Sequence, residues 1–349
     1  MFQNVLNRYF STLGVTLSKS FTRYVSAVIS SCSFSTHEIA RHASKETGKD
    51  FNTSEKGLNY LLSNEKFQID DAYWRCHIRM IFDLMREQDL IKDSEKIYIQ
   101  VDFTSSKDDF LILAASTIVG NRSVPLYFTM RQYPKRKNQY DQKKMELAFL
   151  KGLRHLLSEK YAYVIVADRG FCNKRFIEAC ETTGFDYLIR GNDALKIDIQ
   201  DKKDILKQFG LEDGTYDATA VNWEKNLNIH RVSNEKGQWY LFTNLTNLNS
   251  MQAGEAYARR FKIEKCFQDL KSSGFDMEKT KIRKYSKFKR LLAMVMISHA
   301  LLVFLGHLIV VKVPHFLKNS ALLASVILAY FRSQESLIPY LKQEKSSSL

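Results

Sequence analysis

Residues 96–130 read KIYIQVDFTSSKDDFLILAASTIVGNRSVPLYFTM. Three stretches within them, KIYIQVDF, FLILAAST and VPLYFTM, are consecutive strand candidates, rich in β-branched and aromatic residues. Asp108-Asp109 and Arg122-Ser123 mark the turns between them. Downstream, QKKMELAFLKGLRHLLSEK has helical composition, AYVIVAD reads as a strand, NKRFIEACETT as a helix ended by Gly184, and FDYLIR as a strand. Three strands, helix, strand, helix, strand is a mixed α/β order.

Upstream, residues 1–90 read as helical. Ser35 and Glu38 have capping-box spacing and open EIARHASKET. Residues 48–53 punctuate the pattern before SEKGLNYLLS, and DAYWRCHIRMIFDLMREQ gives a longer helix. Two short helices with a turn between them fit a helix-turn-helix or a plain bundle. Residues 191–250 are polar and turn-rich, with short strand signals ATAVNW, LNIHRVS and WYLFTNL, a β-rich insertion. Helices follow from 251. Residues 291–311 carry no formal charge and are long enough to span a bilayer. Ser298, His299, Gly306 and His307 interrupt them, and a helix apolar all round also suits a large core, which is the reading preferred. The resulting division is 1–90, 91–190, 191–250, 251–335 and a tail at 336–349.

The chain has 349 residues, 45% hydrophobic and 26% charged, which predicts a packed core rather than disorder. Its 52 Lys and Arg against 38 Asp and Glu leave +14. Residues 131–160 and 257–290 carry that whole excess, and two local basic blocks on a neutral remainder suit a polyanion such as nucleic acid. Cys32, Cys76, Cys172, Cys180 and Cys266 include no CxxC pair, so neither a disulfide framework nor a thiolate zinc site is expected. MFQNVLNRYFSTLG is a poor signal peptide, and a reducing cytoplasm is the expected compartment.

Two acids close strand candidates: Asp102 ends IYIQVD, and Asp168 ends YVIVAD before Arg169-Gly170-Phe171. Acids at carboxyl ends of strands in open sheets are placed for ligand or metal contact, although each also fits an ordinary Asx turn. A third acid lies in YARRFKIEKCFQDLK, residues 257–271. At about 100° per residue, Tyr257, Arg260, Glu264 and Lys271 share an arc of roughly 60°. Ile263, Phe267 and Leu270 form an adjacent apolar stripe suited to packing on a sheet.

Tyr257-x2-Arg260-x3-Glu264-x6-Lys271 resembles the YREK signature of the IS4 family of bacterial insertion-sequence transposases. VDFT at 101–104 and ADRGF at 167–171 resemble the segments carrying that family's two catalytic aspartates, and Trp239 with the residues after it resembles the insertion strand before the signature. The resemblance covers about 100–310. It implies an α/β, RNase H-like mixed-sheet catalytic core with a β-rich insertion, following an N-terminal helical domain.

The resemblance further implies that Asp102, Asp168 and Glu264 are catalytic and hold Mg²⁺ or Mn²⁺, hard cations suited to carboxylate oxygens. Tyr257, Arg260 and Lys271 would contact DNA phosphates, with Arg169 in reserve. Trp239, or else Trp223, would stack on a flipped base. Arg131, Lys135, Arg136, Lys137, Lys143 and Lys144 would bind duplex. The expected partners are double-stranded DNA, as terminal inverted repeats and target, and a second copy of the chain in a synaptic complex. The expected reaction is cut-and-paste transposition through a hairpin, in the cytoplasm at the nucleoid and with no membrane partner. A nuclease of the same fold, a DNA-binding regulator and a membrane-anchored basic protein are the competing readings.

Overall fold

The computed structural model describes residues 2–92, 95–106, 109–133, 141–234 and 237–312. Asp108, Lys135, Arg136, Lys137 and the tail at 336–349 lie outside the described residues. The chain divides into two units: Met1–Leu90 with the segment that starts at Phe267, and Ile91–Cys266.

The N-terminal helices are α1 (Phe2–Phe10), α2 (Val15–Ser31), α3 (Thr36–Thr47), α4 (Phe51–Ser63) and α5 (Asp71–Glu87). Their starts follow side-chain capping: Ser35, Asp50 and Asp70 accept from the backbone of Glu38, Thr53 and Tyr73. Only three residues separate α3 from α4, and Gly48 closes α3 in the left-handed region. The buried faces are Ile39, Ala40 and Ala43 on α3 and Leu58, Leu61 and Leu62 on α4. Phe10, Phe21, Phe67 and Tyr73 form one aromatic cluster within this unit.

In the second unit the period-two segments are strands: β1 (Lys96–Ser106), β2 (Phe110–Val119) and β3 (Arg122–Gln132), paired antiparallel in succession. The second turn falls at Gly120-Asn121, and Arg122 already opens β3. Pro125 sits in β3, at the edge of the sheet, where a missing N–H is tolerated. Then come α6 (Gln142–Leu156), β4 (Ala162–Ala167), α7 (Lys174–Thr182) and β5 (Asp186–Arg190). β4 runs parallel to β1, and β5 parallel to β4. The order β3-β2-β1-β4-β5, with β2 antiparallel, is the RNase H-like mixed sheet.

The insertion supplies β6 (Lys196–Ile199), β7 (Lys202–Ile205), β8 (Gly214–Ala220), β9 (Lys225–Asn234) and β10 (Gly237–Thr243). These extend the same sheet: β10 pairs with β5, and β9, β8, β6 and β7 follow outward. The chain then enters α8 (Ser250–Ala258), opened by a full capping box between Asn249 and Gln252. Gly254 lets α8 lie close on β9; a Cβ there would come within 2.7 Å of the Val232 side chain.

The apolar stretch forms α10 (Tyr285–Lys312). It is long and apolar enough to cross a membrane by composition, but it packs among α2, α4 and α5. Its partners within its own unit are helices. Lys289 and Arg290, which flank the apolar run, turn back onto that unit. Lys289 donates to the Ile69 carbonyl, and buried Arg290 donates to the carbonyls of Phe67 (2.5 Å) and Leu62 (2.9 Å). Arg290→Met keeps the apolar volume but strands two buried acceptors. It should lower stability by about 2–4 kcal/mol, read as a fall in the urea midpoint with unchanged slope.

Candidate active site

The parallel register of β1 and β4 decides the first part of the site. Val101 pairs with Ala167, so Asp102 stands beside Asp168; Asp168 follows the end of β4, but Asp102 lies within β1, which continues to Ser106 in its ladder with β2, rather than closing the strand. Asp168 follows the last residue of β4 and caps a 3₁₀ turn at Arg169–Phe171, accepting from the Gly170 N–H at 2.8 Å. Asp102 accepts from the Phe103 N–H at 2.8 Å. The Phe103 and Phe171 rings stack, with centroids 5.4 Å apart and planes 8° apart, bracing the two acidic segments against each other.

The third part comes from the helical segment after the insertion. It is not one regular α-helix. α8 tightens into a 3₁₀ turn at Arg259–Phe261, resumes as α9 (Lys262–Gln268) and widens into a π turn at Asp269–Ser273. Tyr257, Arg260 and Glu264 still converge. Arg260 is the joint: Nη1 donates to Asp102 Oδ2 at 3.2 Å, and Nη2 to Glu264 Oε1 at 2.7 Å. Its side chain is 6% exposed, that of Glu264 52%. The guanidinium carbon lies 4.8 Å from the Phe261 ring centroid and 5.8 Å from that of Tyr257. Its Nε is buried and has no acceptor among the described residues.

Burial pushes the Asp102 carboxyl up to about 6; the Arg260 charge opposes this, and Asp168 and Glu264 add to it. Desolvation is thus the main reason the carboxyl resists ionisation, and the two neighbouring acids add less. Among the described residues, no group of three or more His, Cys, Asp or Glu is gathered closely enough to count as a metal cluster. The donor chemistry nonetheless fits a hard divalent cation: carboxylates only, from within β1, from the end of β4 and from one helix.

Beside the acids opens a cleft of about 670 Å³ lined by Asp168, Arg169, Gly170, Arg190, Asn192, Tyr257 and Arg260. Three guanidiniums, an amide and a phenol around one cavity suit an oxyanion such as phosphate. Arg190 and Asn192 escape a reading of the sequence, because nothing local distinguishes them. Their signal is topological: Ala167 of β4 pairs with Ile189, so the end of β5 flanks the end of β4. Arg169 also lies 3.6 Å from Asp193.

Trp239 is 5% exposed and packs edge-on against Tyr257, with centroids 5.1 Å apart. In this arrangement it is a core residue of the sheet, with no face open to a base. Partly exposed Trp223 lies in a 3₁₀ turn of the insertion. Lys271 belongs to the other unit and to the π turn, so the face predicted from a regular helix does not continue to it. Of the basic run, Arg131 ends β3, and exposed Lys143 and Lys144 lie in the first turn of α6.

Residues 128–301 match the family model of the transposase DDE domain. This segment is a transposase DDE domain. Asp168 and Glu264 fall inside it, and Asp102 precedes it. A DDE transposase is an enzyme that acts on DNA and uses divalent metal ions. No curated protein matches. Among solved structures, Endonuclease V from Bacillus subtilis is similar at 9% identity over 58% of this chain and 85% of that one, with a TM-score of 0.27.

A raised carboxyl is a stability cost at neutral pH. The folded state holds the Asp102 proton above its unfolded value, so the favourable contribution is present below about pH 4 and lost as pH rises through about 6. Asp102→Asn should therefore stabilise the protein at pH 7.5, by about 2–3 kcal/mol at most. The gain should vanish near pH 4 in parallel denaturant titrations.

Proposed function

We propose that the chain is a transposase of the IS4 type, cutting a DNA element free at its ends and joining those ends to new DNA. One observation carries this reading: Arg260 ties Asp102 on β1 to Glu264 on α9, and Asp168 follows the strand beside β1, so acids remote in sequence are arrayed in DDE order around one guanidinium. In this reading Asp102, Asp168 and Glu264 hold Mg²⁺ or Mn²⁺. The bound ions would activate an attacking oxygen and stabilise the leaving one. Asp102, on the central strand, would be the ligand most firmly held in place. Arg260 and Tyr257, with Arg169, Arg190 and Asn192, hold phosphate in the arginine cleft. Lys271 is assigned to a neighbouring phosphate, and a stacking role for Trp239 requires its ring to leave the core.

The N-terminal helices are assigned to the terminal inverted repeats. The short α3–α4 connection supports this, as does the exposed face of α4, where Asn52, Thr53, Lys56, Asn59 and Tyr60 offer groups suited to base edges. Two element ends must be brought together, so the working form is a homodimer or larger, located at the nucleoid in the cytoplasm. The packing of α10 among helices supports the reading without a membrane.

The test uses duplex DNA carrying the inverted repeats that flank the coding region, with protein and Mg²⁺, resolved on a denaturing gel. Wild type should give nicks followed by hairpin ends, and Glu264→Ala should reduce both by roughly 100-fold or more. Nicks without hairpins would favour the nuclease. Binding without cleavage under both Mg²⁺ and Mn²⁺ would favour the regulator.

A further inference from the structure

Arg260 occupies an electrostatically contested position. Both terminal nitrogens are spent on carboxylates, Asp102 at 3.2 Å and Glu264 at 2.7 Å. Its Nε, buried with the rest of the side chain, has no acceptor among the described residues. The same side chain lines the cleft that Arg169 and Arg190 share. It is thus at once the counter-ion of two acids and a wall of an anion pocket. A divalent cation held by Asp102 and Glu264 would compete with this guanidinium for the same oxygens and repel it. A phosphate in the cleft would attract it, offering an acceptor to the unsatisfied Nε and to the terminal N–H groups.

We propose that Arg260 is a transferable counter-ion, which neutralises Asp102 and Glu264 in the absence of DNA and passes to a DNA phosphate when the carboxylates take a divalent ion. This rests on the carboxylate and cleft assignments made above and adds the coupling between them. Metal and DNA then bind with positive cooperativity, and by linkage each raises the affinity of the other by the same factor. The benefit is restraint: the acids are not loaded with metal until a phosphate is in place.

The distance between the two loads is short enough for one side chain to mediate both. Asp168 lines the arginine cleft and also lies beside Asp102 through the β1–β4 register. The Arg260 guanidinium also lies against the Phe261 and Tyr257 rings, which attract its charge. A guanidinium held this way can exchange acceptors without leaving its aromatic bed.

The experiment titrates Mn²⁺ into the full-length protein, reading free Mn²⁺ by electron paramagnetic resonance, with and without a duplex end bearing a 5′-phosphate. Wild type should bind Mn²⁺ at least tenfold more tightly when the duplex is present. Arg260→Gln should bind Mn²⁺ at least fivefold more tightly than wild type without DNA, and the duplex should then improve it less than threefold. Asp102→Asn is the control for the site. If it leaves Mn²⁺ binding unchanged, the carboxylate assignment fails, and this inference with it. If Asp102→Asn abolishes binding but Arg260→Gln is no tighter than wild type, the site stands and the counter-ion role is overturned. Should Arg260→Gln not fold, Arg260→Lys, which keeps the charge but cannot span both carboxylates, must bind Mn²⁺ more tightly than wild type; equality overturns the proposal. Wild type indifferent to the duplex overturns it whatever the variants do.

Discussion

The site depends on one register. Because β1 and β4 are parallel and Val101 faces Ala167, two acids far apart in sequence stand side by side where β4 ends. A slip of one residue would turn Asp102 to the opposite face of the sheet and separate the pair. The register is fixed from both sides. β1 is locked to β2 over seven residue pairs, from Gln100 with Ser116 to Ser106 with Phe110. β4 is buried along Tyr163–Ala167, an apolar run typical of a strand covered on both faces. The core thus does positional work for the chemistry, and the cost falls on Asp102, a carboxylate held where burial disfavours its charge.

The helix reaches that pair through an arginine rather than through its own acid. Glu264 is half exposed, whereas Arg260 is buried and spans the gap. A buried ion pair is weak evidence for stability, since desolvation offsets much of the attraction. Its value here is specificity of placement. The aromatic rings of Tyr257 and Phe261 hold the guanidinium, and Tyr257 is itself anchored on Trp239 of β10. The insertion therefore has a mechanical part in the site. It extends the sheet past β5, and its last strand carries the aromatic floor beneath α8. This explains why Trp239 is buried: the same ring cannot support Tyr257 and lie open to a base.

What the sequence made legible follows from which signals are local. Strand periodicity, helix caps and the insertion are encoded over five to ten residues, and each appears close to where the pattern put it. Asp168 does follow the end of a strand, as its pattern suggested, but Asp102 lies within β1, which runs on to Ser106, because the apolar and hydroxyl residues after it continue the pairing with β2. Arg190 and Asn192 were not legible, because their place depends on β5 lying beside β4, a property of the sheet order. The helical face expected to carry Lys271 is less regular than its sequence pattern. The angular argument assumes about 100° per residue, and the segment tightens at Arg259–Phe261 and widens at Asp269–Ser273. Composition does not mark either change.

That broken helix has a geometric consequence. A 3₁₀ turn advances further per residue than an α turn and rotates the following side chains toward one another at spacing three. Placed between Tyr257 and Glu264, it brings Arg260 beneath the first ring and within 2.7 Å of the acid four residues later. The capping box at Asn249 and the close contact of Gly254 on Val232 hold the start of α8 rigidly on the sheet. With that end fixed, the tightened turn sets where Arg260 points. The irregularity thus refines a juxtaposition that uniform α-helical pitch already offers, since Arg260 and Glu264, four residues apart, share one face at about 100° per residue.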